Sequence, residues 1–169
     1  MMIREPYIEK AGSESVWLPL PASLFLPFPA EIEWNTIKFR KKDEFHVTLL
    51  HVKNASIAAN VPTEEILTFF DLFIEKHPIE FLSTVDDFRY MQENERKTIV
   101  VRCDVSNLDL LFTELNEKFN INVPKQPPHV TIYSLPDKPA IHILSEAIME
   151  SLERVSAQEL ERAFSNMHT

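Results

Sequence analysis

Residues 44–51 read EFHVTLLH and residues 127–134 read PPHVTIYS, so the triplet His-Val-Thr occurs twice, at 46–48 and at 129–131. On a β-strand, residues two apart point to the same face. His46 and Thr48 therefore project together, while Val47 and Leu49 turn to the opposite side. In the second copy His129, Thr131 and Tyr133 share a face, with Val130 and Ile132 behind them. Both copies have the same parity, a polar pair forward and an aliphatic pair behind. They are either two similar strands of a scaffold or two halves of one site.

The surrounding chain has the composition of one globular domain spanning residues 1–169, 44% apolar and without low-complexity tracts. A single cysteine, Cys103, leaves no internal disulfide framework and no cysteine-rich zinc site, which suits a reducing, cytoplasmic setting. Gly12 is the only glycine, so no glycine-rich phosphate loop of the dinucleotide or P-loop kind can be built. The formal net charge of −9 disfavours wrapping of long duplex DNA, which needs a basic surface, but leaves room for a small anion held by local donors. No apolar run reaches the roughly 20 residues of a membrane helix. The stretch VWLPLPASLFLPFP (16–29) carries four prolines and no closely preceding basic segment, so it reads as extended mature chain and not as a signal peptide.

Apolar periodicity predicts helices over 62–77, 106–119 and about 139–163, the last through Ile141, Leu144, Ile148, Leu152 and Val155. Thr63 and Ser106 are the expected caps of the first two. Strands are expected in WLPL, SLFLPF, NTIKFR, EFHVTLLHV, IEFL, DFRYMQ, KTIVVRCDV and HVTIYSL, with a hairpin turn at NERK (94–97). The order of strands, helix, hairpin, helix, strand and helix indicates an α+β fold with mostly antiparallel pairing and helices on the outer faces.

Two imidazoles can divide acid–base work, one accepting a proton from an attacking oxygen and the other donating one to the leaving oxygen. Threonine hydroxyls beside them can donate to the non-bridging oxygens of a phosphate. That set suits phosphodiester cleavage without a metal, and nothing in it forms the carboxylate cluster that a magnesium-dependent nuclease requires. No metal and no cofactor are expected.

Two His-x-Thr triplets, His46–Thr48 and His129–Thr131, on strands half a domain apart resemble those of the two-histidine phosphoesterase superfamily, which includes cyclic nucleotide phosphodiesterases and RNA-ligase-like proteins. The resemblance implies a bilobal, pseudo-symmetric fold with both triplets facing a central cleft. It also implies metal-independent hydrolysis of a 2′,3′-cyclic phosphate or related phosphodiester of a nucleotide or short RNA end. His46 and His129 match the family's catalytic histidines, and Thr48 and Thr131 its phosphate-binding threonines. The chain departs from the family pattern at 17–40, where proline-broken strands stand in place of a helix, and at 156–169, which carries no strand signal. The alternatives are a nucleotide or RNA-end binding module using the same cleft, or a plain scaffold. A monomer is the default state.

Tyr133, one step beyond Thr131 on the same face, is a candidate substrate contact. His51 lies five residues after His46, so on a regular strand it faces away, and joining the two would need a bulge. It is expected to have a structural or surface role. His77, His142 and His168 carry no spacing signal. KFRKK (38–42) reads as a solvated strand end, with a positive rim as the alternative, and Arg89, Arg102 and Lys125 are open candidates for a phosphate contact. Cys103 is expected to be a buried, unreactive strand residue.

Overall fold

A computed structural model describes residues 3–10, 12, 14–136, 138 and 141–168. It has nine strands, β1 (Ile8–Glu9), β2 (Val16–Leu20), β3 (Glu31–Trp34), β4 (Ile37–Lys41), β5 (Phe45–Leu50), β6 (Phe81–Glu93), β7 (Arg96–Val105), β8 (His129–Ser134) and β9 (Glu153–Arg154), among the described residues. Five α-helices accompany them: α1 (Val52–Ala59), α2 (Thr63–Lys76), α3 (Leu108–Phe119), α4 (Glu146–Ser151) and α5 (Gln158–Met167). The strands form two sheets, ordered β1-β2-β5 and β3-β4-β8-β7-β6-β9, and every pairing is antiparallel. The fold is α+β and bilobal, as expected. One triplet strand belongs to each sheet: β5 lies on an edge of the smaller one, and β8 lies between β4 and β7 in the larger.

The long β6–β7 hairpin turns at Asn94 and Glu95, where Asn94 takes a left-handed φ of 56°, a conformation asparagine tolerates better than most residues. Helix α2 buries Ile66, Leu67, Phe69, Phe70, Phe73 and Ile74, and α3 buries Leu108, Leu111, Phe112 and Leu115. Together with Val16, Leu18, Val47, Ile99, Val101, Val130 and Ile132 they make up a core shared by both sheets. Tyr7 ties the N-terminus into it, its ring edge-on to Phe70 and its hydroxyl bonded to the backbone of Ile79.

Four local expectations are corrected. SLFLPF forms a 3₁₀ turn at Ala22–Phe25, because Lys41 Nζ reaches the carbonyls of Phe25 and Phe28 and holds that segment in tight turns. Helix α1 begins at Val52, expected as the last residue of the EFHVTLLHV strand, and runs on through residues 53–59, where no element was expected. Asn107, not Ser106, precedes α3; the Ser106 hydroxyl instead accepts from the Glu80 backbone at 2.9 Å. Thr63 is the first residue of α2 and Pro62 its cap.

The helix expected over 139–163 is broken, with Pro139 and Ala140 outside the described residues. Ser145 caps α4 by accepting from the Ile148 N–H, and the chain then turns extended at Leu152 and pairs with β6 as β9. Arg89 supplies the physical reason. Its guanidinium donates to the carbonyls of Met149, Glu150 and Leu152, groups at the end of a helix that run short of intrahelical donors.

Candidate active site

The two triplet strands pack against each other where the sheets meet. His46, Thr48, His129 and Thr131, all half-buried, line one cleft of about 210 Å³. Two links set the relation of the strands. Gln126, in the extended approach to β8, donates to the Thr48 carbonyl, and the Lys42 N–H donates to the Ile132 carbonyl at 2.8 Å.

Each strand is bulged directly after its triplet. In β5, Thr48 pairs with Trp17 and Leu50 with Val16, so Leu49 is an extra residue without an opposite number. In β8, Thr131 pairs with Val100 and Tyr133 with Ile99, so Ile132 is the extra residue there. A bulge of this kind reverses the facing of everything beyond it. Leu50 and Tyr133 both turn into the core.

That shift corrects the expectation for Tyr133. It is fully buried, lies outside the cleft, and donates its hydroxyl to the Pro29 carbonyl at 2.7 Å. The same shift corrects His51. One extra residue at Leu49 returns His51 to the side of His46, and it lines the cleft just before α1. The His142 ring meets His51 edge-on, with centroids 5.0 Å apart, and belongs to the same wall.

The two triplet histidines are held differently. The His129 Nδ1 lies 2.8 Å from the Pro127 carbonyl, which can only accept, so Nδ1 carries the proton and Nε2 is left with a lone pair in the neutral ring. His46 is stacked on Trp17, with ring centroids 3.8 Å apart and planes within 8°. Trp17 sits diagonally across the β2–β5 pair on the same face. Burial, reinforced by His129 and Lys42, lowers the His46 imidazole to about 4, and burial with His142 beside it lowers His51 to about 4. Burial also lowers His129 and His142, against the Pro127 hydrogen bond that favours the charged form of His129. At neutral pH the resting cleft therefore presents uncharged imidazoles.

Lys10 and Lys42 are the cations that line it, with Glu44 at the edge and Lys10 paired to Glu14 at 3.2 Å. Lys42 is the one member of KFRKK that reaches the site. Arg102, opposite His129 on β7, is drawn away by Glu146 and by Glu150 at 2.9 Å. Arg89 is taken by Asp87 at 2.7 Å and Lys125 by Asp109 at 2.6 Å. None of these three lines the cleft. Among the described residues no group of three or more His, Cys, Asp or Glu side chains is placed to hold a metal ion. Cys103 is buried on β7, its thiol pushed up to about 12 by burial and Asp104, which leaves it protonated and unreactive.

Sequence reasoning missed Trp17, Lys10, His51 and His142 as cleft residues. Trp17 carried a usable signal, as an aromatic on a short strand paired with a triplet strand. His142 carried none, because it arrives on an irregular segment distant in sequence. No family model matches the chain, and neither a curated protein nor a solved structure matches it.

Proposed function

We propose that the chain is a metal-independent phosphodiesterase that hydrolyses a 2′,3′-cyclic phosphate, or a related phosphodiester, at a nucleotide or short RNA end. The observation that carries this reading is the convergence of His46, Thr48, His129 and Thr131, from two separate sheets, on one small cleft whose cations are Lys10 and Lys42. The phosphate sits between the triplets, with its non-bridging oxygens accepting from Thr48 and Thr131. One histidine takes a proton from water as the water oxygen bonds to phosphorus. The other gives a proton to the ribose oxygen as its bond to phosphorus breaks. Solvent then restores both rings.

The free cleft holds its imidazoles neutral, so the acid must be made on binding. A bound phosphate supplies the opposite charge that raises a neighbouring imidazole and lets it take up a proton. A reducing, cytoplasmic location agrees with the lone Cys103. The neutral resting state is also what favours a second reading, a nucleotide or RNA-end binding module that never turns its ligand over.

Turnover of 2′,3′-cyclic nucleotides and cyclic-phosphate-ended RNA in EDTA separates the two readings. His46→Ala and His129→Ala are each expected to lower kcat/KM by about 10²–10⁴-fold, the usual contribution of a general acid or base. Tight binding with no turnover by the wild type supports the binding module. Turnover that survives in both variants removes the two histidines from the chemistry.

A further inference from the structure

A second pocket, of about 250 Å³, adjoins the cleft, and His51 lines both. Their floors are also continuous: the Thr48 side chain faces the cleft, and its carbonyl accepts from Gln126, which lines the second pocket. Above, Ile143 faces the cleft and the following Leu144 faces the second pocket.

The chemistry changes across this wall. The cleft is lined by lysines and histidines, as an anion requires. Among the described residues no Asp, Glu, Lys or Arg lines the second pocket, which instead combines apolar side chains, among them Phe112, Val123 and Leu144, with the three carboxamides of Asn54, Asn122 and Gln126. A carboxamide both donates and accepts, so it matches a neutral group that carries donors and acceptors on one edge. Apolar walls match flat faces. Asn54 and Asn122 are exposed and their side chains form no hydrogen bond among the described residues, and Leu144 is exposed although apolar. The side of the pocket formed by Asn122 and Val123 is held in advance, since the Asn116 side chain makes two hydrogen bonds to the backbone of Val123, at 2.9 and 3.0 Å.

We infer that this pocket is a nucleobase subsite. The phosphate occupies the cleft, the base is seated beyond His51 between apolar walls, and the carboxamides meet the polar edge of the base. This rests on the phosphate-binding reading of the cleft and extends it: the substrate is a nucleotide, recognised through its base, and not a phosphodiester of any other alcohol.

The test is a calorimetric titration with nucleoside 2′-monophosphates and with ribose 2-phosphate, which lacks the base, alongside turnover of the corresponding cyclic phosphates with and without a base. Nucleotides are expected to bind about tenfold tighter than ribose phosphate, which is about 1.4 kcal/mol. Leu144→Trp, which fills the pocket from an exposed position, is expected to erase that advantage while ribose phosphate binds as before. Asn122→Leu is expected to change the ranking of the four bases. Equal affinity for nucleotide and ribose phosphate, or an advantage that persists in Leu144→Trp, overturns the subsite and leaves the phosphodiesterase reading standing. Base-dependent binding without turnover upholds the subsite and sinks the enzyme. Failure of every phosphate to bind overturns both.

Discussion

Tyr133 and Trp17 exchange the roles their sequence positions suggest. The Tyr133 hydroxyl is committed to Pro29 within the core, and burial raises it well above the ordinary phenol range. Tyr133→Phe is therefore expected to cost about 0.5–1.5 kcal/mol of stability, the net worth of one hydrogen bond to a half-buried acceptor, while kcat/KM and ligand affinity stay unchanged. Urea denaturation and steady-state kinetics on one preparation check both halves, and a selective loss of affinity would return the tyrosine to the substrate's surroundings. Trp17, in contrast, is a member of the cleft through its stack on His46. The four residues of the triplets were legible in the sequence because strand alternation governs the residues up to Thr48 and Thr131. Beyond those points it misled, since one inserted residue reverses every facing that follows and nothing in LLH or IYS announces it.

At the scale of elements, the sharp division between α4, β9 and α5 hangs on Arg89. Its guanidinium is buried, bonded to Asp87 and to three carbonyls at the end of α4. Arg89→Ala should destabilise the protein by about 3 kcal/mol, near the low end for breaking a buried pair because Arg154 and Arg102 still face Asp87. Hydrogen exchange should place the loss of protection in residues 146–154, and a uniform loss elsewhere would count against this role. The periodicity of Ile148, Leu152 and Val155 concealed the break, because a helical stripe and a short helix followed by an edge strand can bury the same apolar residues. Helices α2 and α3 were legible for the opposite reason. Their stripes run unbroken over three or more turns.

Across the whole molecule, the histidine cluster sets how the fold responds to acid. His46 and His51 ionise near 4 in the folded chain but near 6.5 when unfolded, so between those values the unfolded state binds more protons. Stability is then expected to fall as pH is lowered from 7 to 4, by up to about 1.4 kcal/mol per pH unit for each histidine. Carboxylates held low by arginine or lysine, such as Asp87 and Glu14, add their own loss as pH falls below about 5. Thermal melts of the wild type and His51→Asn across this window check the sign, and an identical slope in the variant would remove His51 from the account. The face-to-face contact of Trp17 with His46 has a further consequence, in light and not in free energy. An imidazolium quenches an excited indole far more effectively than a neutral imidazole. The chain has two tryptophans, and the other, Trp34, lies beside Tyr90, away from the histidines. The protein's own emission is thus a built-in gauge of the proton on His46, dimming as that ring is charged by acid or by an arriving anion.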